Sequence, residues 1–222
     1  RFEVTKATAR FYDGAASFRY RIAPISAPTP AVARFDLAYR DVDLALLSDA
    51  IGMRGLRLLG TATGDNVLEW PLGAFSQRRG SGRMGIVPPE GRSLLPRETA
   101  PEEAAIHALA PEYGPERNLS LFPAPTAVGG EFVYRLSPEW LDVDPSQLAT
   151  ERTYVEFHGR TAFGDRSEFP FYARSADWQE SDRLMAGILT AFGSKTGVIN
   201  VGGHGECRGT MTKSFRSRLI QG

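Results

Sequence analysis

The sequence predicts a mainly β protein: antiparallel sheet with one apolar face, interrupted by two short helices. Three observations predict it. Apolar and polar residues alternate with a period of two over many short segments. Glycine (23) and proline (15) are frequent enough in 222 residues to supply the turns between those segments. Only two stretches carry apolar residues at helical spacing behind a capping residue.

The segments follow in chain order. In the first, Phe2 and Val4 share one parity and Ala7, Ala9 and Phe11 the other, which calls for a bulge near Thr5–Lys6. Asp13-Gly14 then marks a hairpin, because glycine accepts positive φ. Phe18, Tyr20 and Ile22 alternate with Ser17, Arg19 and Arg21, and Ala33, Phe35, Leu37 and Tyr39 with Arg34, Asp36 and Arg40. Such strands show one apolar and one charged face, the pattern of an antiparallel sheet wetted on one side. Asp43 caps a helix over 44–51, whose Leu44, Leu47 and Ile51 share a face before Gly52 stops it. Strand character returns over 56–70, with Leu56 and Leu58 on one parity. Residues 88–128 hold eight prolines and many charges, and read as a flexible insertion with a short helix near 102–109. Phe132, Tyr134 and Leu136, then Val155, Phe157 and Gly159, resume the alternation. A Gly164-Asp165 turn leads into a strand over 167–174, where Pro170 lacks an N–H and predicts an edge or a bulge. Asp177 and Glu180 have capping-box spacing ahead of a helix over 178–192. Its apolar stripe is Leu184, Met185, Ile188, Leu189 and Phe192, and Gly193 ends it.

The chain thus divides into a β unit over 1–87, the proline-rich insertion over 88–128 and a second β unit over 129–222. The two units share an order: an alternating strand, an Asp-started apolar helix, then a strand with two glycines four apart, Gly60 and Gly64 or Gly205 and Gly209. Units that cannot close their own cores stack into extended repeat structures. The opening Arg1-Phe2-Glu3 already reads as strand, and the chain is expected to be a piece of a longer protein.

The strand "FDLAYRDVDLALL" with "GLRLLGTATG" and "NVLEWPLG" resembles the repeats of AsmA-like proteins, and those of the TamB-type translocation and assembly proteins of the bacterial envelope in particular. "TYVEFHGRTAFGDRSEFPFYARSADWQESDRLMAGILTAFG" is similar to a block of the same group. The resemblance spans 1–87 and 130–222 and leaves out the insertion. It implies an extended, curved antiparallel sheet folded into a groove-shaped, taco-like trough whose apolar wall carries phospholipid acyl chains across the periplasm. It also implies an outer-membrane barrel partner, met through regions of the full-length protein beyond these residues. The wall candidates are Phe18, Tyr20, Phe35, Leu37, Tyr39, Leu56, Leu58, Phe157, Phe169 and Phe171. A sheet with one apolar side must be covered by helices, a second sheet, a partner or lipid, and two short helices reach only part of it. The alternative is a non-catalytic structural or interaction module with a sealed core that binds protein or glycan.

Composition and motifs weigh against other classes. Net charge is zero with no basic stripe, so nucleic acid is not an expected partner. No apolar run approaches the roughly 18 residues of a membrane span. The single Cys207 forms no internal disulfide. His158, Asp165 and Ser167 cluster around one turn, but without a nucleophile elbow or oxyanion loop they read as a solvated strand face. His204, Glu206 and Cys207 in "GGHGECRG" are too few for a zinc site, and the glycines do not follow the strand–turn–helix order of a dinucleotide site. Asp36, Asp41 and Asp43 lack the spacing of a calcium loop, and Asp43 is better used as a helix cap. No enzyme activity, metal or cofactor is expected.

Overall fold

The computed structural model describes residues 1–25, 30–53, 56–98, 124–162, 166–191 and 202–214, excepting the side chains of 124, 166–169, 187–191 and 211–214. Twelve strands form: β1 (Phe2–Phe11), β2 (Gly14–Ala23), β3 (Val32–Asp43), β4 (Leu56–Leu59), β5 (Thr61–Pro71), β6 (Arg79–Val87), β7 (Ala124–Ala127), β8 (Gly129–Leu136), β9 (Trp140–Ala149), β10 (Thr153–Ala162), β11 (Arg166–Ser175) and β12 (Gly205–Ser214). The helices are α1 (Leu44–Ala50) and α2 (Trp178–Ala191), with a 3-10 turn at Phe75–Gln77. Ten strands make one open antiparallel sheet, in the order β1-β2-β3-β5-β6-β8-β9-β10-β11-β12, not closed into a barrel. The two sequence halves meet inside it, where β6 pairs β8.

The expected bulge in β1 is present: Val4 pairs Tyr20 and Ala7 pairs Phe18, so one extra residue sits between them. The first turn works differently from the expectation. Its two central residues, Tyr12 and Asp13, take the positive φ, while Gly14 does not. Gly14 is needed for closeness instead, since a Cβ there would lie 2.4 Å from the Arg40 carbonyl oxygen. Pro170 is likewise not on an edge strand, because β11 lies between β10 and β12. Its missing N–H is accommodated by a lapse in the β10–β11 ladder between Phe157–Phe171 and Arg160–Glu168.

Asp43 caps α1 as read from the sequence, its Oδ1 accepting from the Ala45 and Leu46 amides at 2.7 and 3.0 Å. Leu44 is buried and Leu47 packs on the core, whereas Ile51 is exposed. The strand 56–70 splits in two at Gly60. Its first part, β4, leaves the main sheet and pairs in parallel with β7. β7 and its successor Val128 lie within the segment read as a flexible insertion, yet Val128 belongs to the core. The described residues 88–98 are also anchored: Leu95 is buried, its amide donates to the Thr150 carbonyl at 2.7 Å, and Arg92 and Arg97 pair with Glu151 and Glu156. The helix expected at 102–109 and the Gly164-Asp165 turn lie outside the described residues.

The parallel between the halves has a structural counterpart. β3 reaches its neighbour β5 through α1 and β4, and β11 reaches its neighbour β12 through α2. Gly60 and Gly205, entering β5 and β12, both hold positive φ (+145° and +152°). Gly64 and Gly209 each lie beneath a ring of the preceding sheet strand, Tyr39 and Phe171 respectively.

Replacing Asp43 with Ala removes both cap hydrogen bonds and should lower stability by about 1 kcal/mol in urea unfolding. Asp43→Asn keeps an accepting oxygen and should hold the wild-type midpoint.

Candidate functional site

Register places most of the apolar residues of the large sheet on one side, with Val67, Val133, Trp140, Tyr154 and Tyr172 on the other. One row runs Phe18–Leu37–Asn66–Gly82–Tyr134–Val143–Gly159, and the next runs Val4–Tyr20–Phe35–Leu68–Gly80–Leu136–Leu141. Further along the sheet, Val155 pairs Ala173 and Phe157 pairs Phe171. Rings meet within this face: Phe18 and Phe35 at 5.5 Å, Phe132 and Tyr134 at 5.6 Å, and Phe132 and Phe157 at 6.1 Å between centroids.

Cover is unevenly distributed. α1, β4 and Val128 pack on Tyr39, Val42, Ala62, Met84, Ile86 and Leu148, all at the same end of the strands. α2 docks at that end too, beside β10 and β4. Over the rest of the face, Phe18, Tyr20, Phe35, Leu37, Phe157 and Phe171 are only half-buried, and no described element packs over them as α1 does at the capped end. Phe169 pairs Met211 through its backbone, and its side chain lies outside the described residues. Leu56 and Leu58 do not line the face. They belong to β4, where Leu56 is buried and Leu58 packs onto the capped-end core. Their alternation was real, but it serves a separate two-stranded layer.

A polar bridge crosses the middle of the apolar face, and the sequence reading missed it. Asn66 accepts a hydrogen bond from the Tyr134 hydroxyl at 2.7 Å and engages the Tyr39 hydroxyl from the other side. Burial pushes both phenols above their usual range, so both stay protonated over the physiological span. The rings fit because β5 and β6 present glycines beneath them. A Cβ on Gly64 would meet the Tyr39 hydroxyl at 2.7 Å, and one on Gly82 the Asn66 Oδ1 at 2.1 Å and the Tyr134 ring at 2.5 Å. The available signal was one Asn on the apolar parity of Ala62, Gly64, Leu68 and Trp70.

A second polar cluster fixes the cap. Asp177 accepts from the Gln179 amide at 3.0 Å, but Glu180 does not close a capping box; the Asp177 amide donates to the Ser175 hydroxyl instead. The Glu180 carboxylate turns inward to accept from the hydroxyls of Thr150 and, at 3.3 Å, Thr153. Ser181, Ser175 and Thr153 share hydroxyl contacts of 2.7 and 2.9 Å beside it. Burial holds the Glu180 carboxyl above the usual carboxylate range. Within the expected stripe, Leu184 is buried and Met185 exposed, while Ile188, Leu189 and Phe192 lie outside the described side chains.

The opposite face is charged and cross-paired. Arg34 bridges Asp36 and Glu69, Arg83 pairs Glu131, and Arg160 grips Asp142 with two bonds of 2.6 and 2.9 Å. That grip holds the Asp142 carboxyl below its ordinary range. His158 is exposed on this side, at a hollow of about 230 Å³ where β9 bulges at Pro145. Of the carboxylates lining that hollow, Glu131 is taken up by Arg83 and Glu156 by Tyr154 and Arg97. Asp165 and the Ser167 side chain lie outside the described residues. His204 and Cys207 are exposed, and Glu206 pairs Arg174. Among the described residues no three His, Cys, Asp or Glu side chains group as metal ligands.

Comparison with known proteins returns no relative: no family model, no curated protein and no solved structure matches the chain.

Gly82→Ala should displace the Tyr134 ring and cost about 1–3 kcal/mol by urea unfolding. Gly85→Ala should stay near wild type, since a Cβ there meets only the Thr63 oxygen at 3.9 Å. A raised carboxyl pKa in the folded state means that its contribution is fully present below the unfolded value and lost as pH rises through the folded one. Glu180→Gln should therefore raise the melting temperature at pH 7 and flatten its decline as pH rises above the ordinary carboxylate range.

Proposed function

We propose that the chain is a segment of a TamB/AsmA-like protein of the bacterial envelope, and that its apolar sheet face carries phospholipid acyl chains passively between membranes. One observation supports this above the others. An apolar face runs continuously through ten strands, its aromatic side chains stay half-exposed, and the packed cover sits at one end. A soluble protein seldom leaves so large an apolar patch without an occupant. Acyl chains suit a long surface of this kind because they ask for no fixed partner atoms. Each buried methylene contributes about 0.8 kcal/mol, spread over many contacts.

On this reading Phe18, Tyr20, Phe35, Leu37, Tyr39, Phe157 and Phe171 form the wall, and no covalent step is needed. Lipid would enter and leave along the face, and the full-length protein would meet its outer-membrane partner elsewhere.

Organic extraction of detergent-free protein followed by lipid mass spectrometry should recover phospholipid in near-stoichiometric amount. Phe35→Asp places a charge on the wall and should abolish that recovery, whereas Phe35→Ala should only reduce it. Circular dichroism confirms that each variant is folded. A folded wild type free of lipid would sink the lipid-groove reading and favour a module that binds protein or glycan.

A further inference from the structure

The strand ends opposite the cap carry a second apolar feature, which continues from the wall at Tyr20 to side chains beyond it. Four rings follow one another across β1, β2, β5 and the 3-10 turn: Phe2 to Tyr20 at 6.4 Å, Tyr20 to Trp70 at 6.2 Å, and Trp70 to Phe75 at 5.3 Å. Around this strip Phe2, Ile25, Val32, Leu72 and Phe75 are each 42–60% exposed. They lie together because Phe2 pairs Ile22, Val32 pairs both Ala23 and Pro71, and the Leu72 amide donates to the Ala31 carbonyl. Large apolar side chains in this number at one strand end are poorly explained by the scatter usual on a protein surface.

The charges around them are biased. Arg1, Arg19, Arg21, Arg34, Arg78 and Arg79 occupy these strand ends, against Glu3, Asp36 and Glu69. At the capped end of the same strands, exposed Phe11, Leu46 and Ile51 stand where Asp13, Asp41, Asp43 and Asp49 outnumber Arg10, Arg40 and Arg57. A chain of zero net charge therefore presents exposed apolar groups at both ends of these strands, and among the described residues only the open end has a cationic rim.

We propose that the open end is a membrane-docking tip whose occupant is the surface of an anionic phospholipid bilayer. Phe2, Ile25, Val32, Leu72 and Phe75 enter the boundary between headgroups and acyl chains, and the surrounding arginines bind the phosphates. Trp70, behind them, sits at the depth an amphipathic ring prefers. The site goes beyond the acyl-chain reading and does not require it, since the inserting Phe2, Ile25, Val32, Leu72 and Phe75 lie at the strand ends and are not wall residues. If both hold, the open end of the groove faces the membrane it serves.

Flotation of the full chain with vesicles tests the tip. Binding should be strong on phosphatidylcholine–phosphatidylglycerol mixtures, weak on phosphatidylcholine alone, and should fall as salt rises. Leu72→Asp/Phe75→Asp should weaken binding about tenfold or more, and Arg21→Glu/Arg79→Glu should remove its salt dependence. Phe11→Asp/Ile51→Asp, at the other end, should bind as wild type. Equal losses in both apolar pairs, or no preference for the anionic vesicles, would overturn the proposal. So would a dimer in sedimentation that Leu72→Asp/Phe75→Asp disperses, because the strip would then face a second copy. Lipid extraction from the same samples separates the two ideas. Vesicle binding by a protein without cargo keeps the tip and removes the groove; cargo retained in Leu72→Asp/Phe75→Asp with vesicle binding lost keeps both.

Discussion

A β-strand that slips by one residue exchanges its two faces, and a sheet with one apolar side cannot absorb such a slip in any of its ten strands. The bulges show how the chain meets this constraint. In β1 the apolar parity changes between Val4 and Ala7, in β3 between Tyr39 and Val42, and in β9 between Val143 and Ser146. At each change one extra residue is inserted, at Thr5–Lys6, Arg40–Asp41 and Asp144–Pro145, and the later residues return to the apolar side. Asp41 takes a positive φ to do this, and Pro145 occupies a position where the ladder is already broken. The half-exposed apolar face, the Tyr39–Asn66–Tyr134 bridge and the ring strip at the open end all depend on these three insertions.

What the sequence made legible follows the same logic. Strands with clean alternation, such as 17–22 and 33–40, could be read with their facing. So could the β1 bulge and the Asp43 cap, because parity and capping are local properties. β9 escaped, since "WLDVDPSQLA" carries a proline and two carboxylates, and its two apolar halves differ in parity. β4 and β7 escaped as a pair because four-residue strands 68 positions apart leave no periodic trace. Leu56 and Leu58 read as wall residues for that reason: alternation tells which side a residue faces, but not which sheet it belongs to. The polar bridge was half-visible, with Asn66 out of place on an apolar parity. Its partners became evident only once register set Tyr39 and Tyr134 over Gly64 and Gly82.

The two ends of the strands have been given different chemistry. At one end, hydroxyls and a buried carboxylate hold α2 down while α1 and β4 fill the space over Val42 and Ala62. At the other, rings and aliphatic groups remain exposed among arginines. The excursions that carry α1 and α2 both leave from the same side of the sheet, after β3 and after β11. Repetition of one connection therefore closes one end twice, and among the described residues no helix closes the other.

The margins of the sheet differ as well. β12 pairs β11 through ten consecutive residues without a shift, so its outer backbone follows a straight ladder. β1 is broken by its bulge, with Lys6 at the break. A lysine on a kinked margin discourages a further strand, and an unbroken backbone invites one. Among the described residues neither margin is paired. The sheet thus has a polarity of growth: an added strand would find a complete template beside β12 and an interrupted one beside β1, as in a filament whose two ends elongate at different rates.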